Sequence, residues 1–422
     1  MDQRIGKYEL KESLGKGTSG TVYRATDTFS GEDVALKVLD PALVSDPEFG
    51  DATRRQFMNE ASLAGKLVHP HIAAILEASV DDTTGYLAVE YVPGGTLAPY
   101  CSPEKLLPVS EVFEIAFKCC GALDYAYRLG IVHRDLKPSN LMLVEGTTVK
   151  IVDFGAAFLH QALNTQLADV GSPLYMSPEQ IRGDTLGYQS DMFSLGVVLY
   201  ELLTGQRPFV ASTITQLFQK ILQADPVPPS TLRPEVDPKL DVILQRMLRK
   251  VPEERYASWA DLALDLVEIG HLSIFQQAIP DSEKFVALRK IPLLKGLNDA
   301  EIWELVKTSR WRRVPAQTVI VLEGEPGSSL LLLGAGEAKV TRQGRLLNVL
   351  GPGEYFGEMS YIKEGALPRH ATVESTTELL LAEFEPAALG RLSKNCQLHL
   401  ALALLHTLVD RLAIADSRIA QA

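Results

Sequence analysis

His133-Arg134-Asp135-Leu136-Lys137-Pro138-Ser139-Asn140 gathers a carboxylate, cations and a carboxamide into one short stretch. Upstream of it, Val109 to Leu129 shows a long apolar face and reads as a helix, and downstream stands Asp153-Phe154-Gly155. Further out toward the amino end the pattern changes. Tyr8-Glu-Leu-Lys-Glu-Ser-Leu14, Thr21-Val-Tyr-Arg-Ala25 and Val34-Ala-Leu-Lys-Val-Leu39 alternate as strands. Asp191 to Thr204 supplies a second apolar helix on the other side. Strands followed by helices argue an α+β block with two lobes, running to about residue 270.

Between the first two strands lies Gly15-Lys16-Gly17-Thr18-Ser19-Gly20-Thr21-Val22. Glycines at this spacing let backbone amides approach phosphates, but no helix follows, which disfavours a dinucleotide fold. Alone, this is equally a plain hairpin turn. Its company is what gives it meaning. Lys37 sits on the next strand, Glu60 in the helical stretch Arg55 to Leu67, and Ser177-Pro178-Glu179 follows Asp153-Phe154-Gly155.

This ordered set resembles the eukaryotic-type, or Hanks-type, serine/threonine protein kinases, over about residues 8–270. The resemblance implies a bilobal kinase fold and transfer of the ATP γ-phosphate to protein Ser/Thr hydroxyls, chemistry that needs positioned groups and neutralised charge. It implies that Lys37 holds the α- and β-phosphates and pairs with Glu60. Asn140 and Asp153 would hold Mg²⁺, and Asp135 would accept the substrate's hydroxyl proton. Lys137 matches the serine/threonine branch and would steady the γ-phosphate. Leu14, Gly15, Gly17, Gly20, Val22, Ala35 and Met142 would enclose the nucleotide, with backbone groups of Glu90 and Val92 as hinge contacts and Val89 at the rear. Glu179 with Arg255, and Asp191, are implied as architecture. Arg134 marks kinases switched by phosphorylation of the activation segment, where Thr165 and Ser172 are the candidates.

Residues 271–292 read as a helical connector. From 293 to 422 short strands recur between glycine turns: Val319 to Leu322, Ser329 to Leu333, Ala338 to Arg342, Leu346 to Leu350 and Ala371 to Glu374, closed by a helical stretch from Leu389 to Ile419. That spacing predicts a β-barrel or jelly roll. Gly353-Glu-Tyr-Phe-Gly357-Glu358-Met359-Ser360, followed by Pro368-Arg369-His370-Ala371, resembles the cyclic-nucleotide-binding domain, a β-roll with flanking helices. By that resemblance Arg369 pairs the cyclic phosphate and Glu358 accepts from the ribose hydroxyl. The short stretch Glu358 to Tyr361 would aim helix N-terminal amides at the phosphate, with Gly357, Met359 and Ser360 among the binding residues, and Leu405 and Leu408 would lid the base. His370 replaces the small or hydroxyl residue usual after the arginine, which leaves cyclic AMP against cyclic GMP open.

The 422 residues are enough for about three packing units. With 46% hydrophobic and 22% charged residues, disorder is excluded as the main state. The net charge of −12 lies wholly in residues 1–280, where 24 Lys and Arg face 36 Asp and Glu; residues 281–422 carry 17 of each. A nucleic-acid surface is therefore not expected. Phe193 to Leu203, the best candidate for a span, is short and holds Glu201, so no membrane span is expected. Without a secretory leader, and with Cys101, Cys119, Cys120 and Cys396 in no CxxC spacing, the expectation is a cytoplasmic protein with free thiols. Three readings stay open: a kinase tuned by a cyclic nucleotide, a kinase whose second domain is a ligand-free docking module or a homodimer contact through the closing helix, and a sensor on a non-catalytic kinase scaffold.

Overall fold

The computed structural model describes residues 4–16, 20–40, 57–58, 60–80, 85–154, 173–273, 279–358 and 367–419. The chain divides into two compact units, residues 1–275 and 276–422.

The first unit opens with a six-stranded antiparallel sheet. Its strands are β1 (Arg4–Ile5), β2 (Tyr8–Lys16), β3 (Gly20–Asp27), β4 (Asp33–Leu39), β5 (Ile75–Val80) and β6 (Gly85–Glu90), in the order β1-β2-β3-β4-β6-β5. Alternation along β4 sorts its side chains. Val34 and Leu36 are buried with Tyr8, Ala25 and Ala88, so Ala35 and Lys37 emerge on the opposite face. Gly20 is required by packing: a Cβ there would lie 1.9 Å from the Val38 carbonyl oxygen on β4. At Gly15 the same atom would meet nothing within 4 Å. The two glycines of the loop thus have different reasons.

Helical structure at Glu60 ends at Ala61, short of the expected Leu67. The Ser62 amide still donates to Met58 O, but Leu63, Ala64 and Lys66 turn tightly onto the third residue before them. Gly65, in the left-handed region at φ +71°, ends the run.

Helices α1 (Val109–Arg128), α2 (Pro178–Arg182), α3 (Tyr188–Thr204), α4 (Ile214–Gln223), α5 (Pro238–Met247) and α6 (Trp259–Ser273) build the rest of this unit. Helix α3 is buried from Ser190 to Thr204 on all sides, the mark of a helix at the centre of a core. It stops at Gly205, in the left-handed region at φ +70°. A three-stranded sheet joins β7 (Gly95–Thr96), which precedes α1, to β8 (Leu141–Glu145) and β9 (Thr148–Ile151), which lead from the catalytic stretch to Asp153.

In the second unit, α7 (Asp281–Arg289) and α8 (Asp299–Thr308) precede strands β10 (Arg310–Val314), β11 (Val319–Val321), β12 (Pro326–Gly327), β13 (Leu330–Ala335), β14 (Ala338–Arg342), β15 (Arg345–Leu350), β16 (Tyr355–Phe356), β17 (Leu367–Pro368), β18 (Thr372–Ser375) and β19 (Leu379–Phe384). Two four-stranded sheets, β10-β19-β13-β16 and β11-β18-β14-β15, share a core of Val314, Leu331, Leu333, Leu350, Phe356, Val373 and Leu381. The run Leu330 to Leu333 is wholly buried, since β13 is covered on both faces, with Ala287 of α7 against Gly334. Nine residues of the stretch read as a connector, 281–289, form helix α7, within this unit. One helix, α9 (Lys394–Ile419), closes the chain.

Candidate active site and second ligand site

The catalytic stretch is set by a buried carboxylate on α3. Asp191 accepts from the His133 amide through Oδ2 and from the Arg134 amide through Oδ1, both at 2.7 Å. This grip holds Arg134 at φ +68°, a conformation a non-glycine residue keeps only when its surroundings dictate it. The Asp135 amide donates to His133 Nδ1 at 3.3 Å, which leaves Nε2 as the donor to Val152 O at 3.0 Å. His133 also packs against Phe154, with ring centroids 4.6 Å apart. The two motifs are thereby tied to each other by the histidine, a role the sequence did not reveal.

Within the stretch, Lys137 Nζ lies 2.6 Å from Asp135 Oδ2, and Asn140 Nδ2 donates to Asp135 O at 2.8 Å and Oδ2 at 3.3 Å. Across from it, Lys37 Nζ bridges Glu60 Oε2 at 2.8 Å and Asp153 Oδ1 at 3.0 Å. Burial alone would favour a neutral Lys37, but the Asp153 and Glu60 charges outweigh it and hold the ammonium above its ordinary value. Lys37, chiefly, holds the Asp153 carboxyl down at about 2. Glu60 is raised by its burial, against the pull of Lys37. Asp153, at φ +63°, is the most exposed of the three and stays ionised.

A hard cation fits this donor set. Asp153 and Asn140 offer oxygen ligands, and among the described residues no group of three His, Cys, Asp or Glu makes an all-protein metal cage. Mg²⁺ is ordinarily held by one or two carboxylates plus substrate phosphates, which is what such a set leaves room for.

Of the residues expected to enclose a nucleotide, Val22, Ala35 and Val89 share one face of the six-stranded sheet with Lys37. In register, Val22 is opposite Lys37, and Ala35 is opposite Val89. Val89 is partly buried, Val92 is buried, Met142 lies on β8, and Leu14 is exposed on β2. Glu90, expected at the hinge, is fixed by two contacts unseen in the sequence. Glu90 Oε2 accepts from Lys150 Nζ at 2.8 Å and from the Ala74 amide at 3.2 Å. Gly17, Gly155, Thr165 and Ser172 lie outside the described residues.

Glu179 and Arg255 form a fully buried two-pronged pair at 2.7 and 2.8 Å. Beside it, Ser177 and Gln180 make a reciprocal capping box on α2, and Gln180 Nε2 donates to Arg134 O at 2.8 Å. The S-x-x-Q spacing could have announced the cap, though not its reach to the catalytic stretch.

In the second unit, Arg369 follows β17 and its side chain lies between Gly327 and Gly357. A Cβ at these glycines would come within 2.3 Å of Nε and 2.6 Å of Nη1. Burial works to neutralise the guanidinium, opposed by Glu383 and then Glu358. Glu358 and Ala371 are half-buried and His370 is exposed. Met359 and Ser360 lie outside the described residues. Leu405, expected as a lid, is exposed; the side chain of Leu408 is outside the described set.

A two-lobed unit with a lysine–glutamate pair and a braced catalytic loop, joined to a β-roll, defines a kinase-like chain with a ligand-domain partner. Residues 8–265 match the family model of the protein kinase domain, and the chain belongs to that family. Residues 311–396 match the model of the cyclic nucleotide-binding domain. The chain is similar to Serine/threonine-protein kinase PknB of Mycolicibacterium smegmatis, 35% identical over 296 residues, covering 68% of this chain and 47% of that one. It is similar also to Serine/threonine-protein kinase PknB of Mycobacterium leprae, 37% identical over 270 residues, covering 62% and 43%. The chain thus spans less than half the length of these relatives. Among the described residues no helix is long and apolar enough to cross a membrane.

Proposed function

We propose that the chain transfers the γ-phosphate of ATP to serine or threonine hydroxyls of proteins, and that a cyclic nucleotide bound beside Arg369 tunes this activity. The observation that carries the first part is the convergence of Lys137 and Asn140 on Asp135, opposite the Lys37–Glu60–Asp153 cluster. Asp135 takes the hydroxyl proton and aims the oxygen. Lys137, beside Asp135, would share the γ-phosphate's charge, and Lys37 would hold the α- and β-phosphates. Bound Mg²⁺, held by Asp153 and Asn140, would neutralise phosphate charge. Arg134 fits regulation by phosphorylation. Its buried Nε has no hydrogen-bond partner among the described residues, and a phosphate on Thr165 or Ser172 would supply one.

The second part rests on a cation placed against two bare glycines, which suits a small anion approached by backbone amides. The expected result of calorimetry is binding of cyclic AMP or cyclic GMP that falls about ten- to a hundredfold in Arg369→Ala, the usual value of a charge-assisted hydrogen bond. Phosphorylation of a generic basic protein should then respond to the nucleotide in the wild type and lose that response in the variant. Equal rates in every lane would leave the kinase and remove its regulation.

The closing helix supports self-association. Cys396, Leu400 and Leu404 are buried, whereas Leu398, Leu402, Leu405 and Val409 stand exposed in a stripe spaced as in a coiled coil. A homodimer through α9 predicts a doubled mass by light scattering, reverting to one chain in Leu402→Glu/Leu405→Glu. Action inside the cytoplasm follows from the proposed use of ATP and a diffusible messenger.

A further inference from the structure

Arg369 is a long side chain on a fixed base. Its amide donates to Glu325 O and its carbonyl accepts from Gly324 N–H, both at 2.8 Å, so the main chain is pinned while the guanidinium must be placed separately. The placing groups are Ser329, just before β13, and Glu383 on β19. Nη1 and Nη2 both donate to Ser329 O, at 3.2 and 3.1 Å, and Nη2 also donates to Ser329 Oγ at 3.2 Å. The Ser329 hydroxyl in turn donates to Glu383 Oε1 at 2.8 Å.

A serine hydroxyl has one hydrogen and two lone pairs. With its hydrogen committed to Glu383, it can only present a lone pair to Arg369. Removing the Glu383 acceptor frees that hydrogen to rotate toward the guanidinium, where it would repel. Glu383 therefore acts on Arg369 through the serine as well as through its own charge, and takes none of the N–H groups that an anionic ligand needs. Arg312, 3.9 Å from Glu383 on the neighbouring strand, moderates the carboxylate's charge.

We propose that Ser329 and Glu383 form a positioning relay that holds the Arg369 guanidinium against Gly327 and Gly357 before a cyclic phosphate arrives. The relay rests on the cyclic-nucleotide reading given above. Its value is preorganisation: a rotamer-rich side chain ordered in advance spares the complex a cost of about three- to tenfold in affinity.

The test is calorimetry of the full chain with cyclic AMP and cyclic GMP, on the wild type and four variants whose melting curves are compared. Ser329→Ala and Glu383→Leu should each weaken binding about three- to tenfold. Glu383→Gln keeps an oxygen that accepts from Ser329 and drops a negative charge near an anionic ligand, so it should match the wild type within about twofold or exceed it. The double variant Ser329→Ala/Glu383→Leu should bind like either single one, because both break the same link. Loss in Glu383→Gln as large as in Glu383→Leu, multiplying losses in the double variant, or unchanged binding in Ser329→Ala would each overturn the relay while leaving the sensor. A wild type that binds neither nucleotide would overturn the sensor reading and the relay with it.

Discussion

Asp135→Asn lowers phosphoryl transfer by about a hundred- to ten-thousandfold, the range expected when a positioned proton acceptor is lost. The substitution is nearly isosteric and keeps an oxygen toward Lys137 and Asn140, so the loop should retain its shape. What it removes is a negative charge that can take a proton. The loss should therefore fall on kcat, with KM for ATP and the melting temperature close to wild type, since the nucleotide is assigned to Lys37, the β2–β3 loop and the hinge. A second variant separates this from general damage. Lys37→Met strips the counter-charge from both Asp153 and Glu60, two carboxylates it bridges at 3.0 and 2.8 Å, and should raise KM for ATP as well as lower kcat. Transfer undiminished in Asp135→Asn, measured by incorporation of labelled phosphate, would remove the assignment of Asp135.

Much of this site was readable because its residues come in contiguous motifs whose chemistry restricts the choice. Lys37 could be placed on a strand by alternation, and β4 obeys that rule residue by residue. The helix carrying Glu60 was harder: its apolar pattern continues to Leu67, but Gly65 and a series of tight turns end it sooner. Gly20 shows a different gap. Its place in a glycine-rich loop suggested access for phosphates, yet the Val38 carbonyl leaves no space there for a side chain. The contacts by Lys150 on Glu90, Gln180 on Arg134, and Ser329 and Glu383 on Arg369 join residues far apart in the chain. No local spacing encodes such pairs, because folding alone brings them together. In the β-roll, the unbroken apolar run Leu330 to Leu333 carried no alternation to read, since both faces of that strand are covered.

Arg255→Ala should destabilise the first unit by about 3–5 kcal/mol, the cost of leaving a buried charge without its partner. Each of the three nitrogens of this guanidinium donates. Nη1 donates to Glu179 Oε1 and to Gln189 O, Nη2 to Glu179 Oε2, and Nε to Arg249 O, while its plane lies over Phe193. Truncation strands the Glu179 carboxylate next to the core, opens a cavity and takes a donor from the Gln189 and Arg249 carbonyls. For a unit of this size the melting temperature should drop by roughly 10 °C. Arg255→Lys should recover only part of it, because a point charge cannot reproduce two parallel hydrogen bonds. Glu179→Leu/Arg255→Met should be more stable than Arg255→Ala, since an apolar pair carries no desolvated charge. Acid supplies an independent check. Burial acts to raise the Glu179 carboxyl, but Arg255 outweighs it and holds the group below its ordinary value of 4.5. The pair's contribution is then complete above pH 4.5 and fades as pH falls through the lower folded-state value. The gap in stability between wild type and the apolar double variant should accordingly narrow or reverse in acid, in unfolding curves taken at pH 7 and near pH 3. A gap that does not move with pH, or an Arg255→Ala protein as stable as the wild type, would show that this pair does not hold α2 and the segment before α6 together.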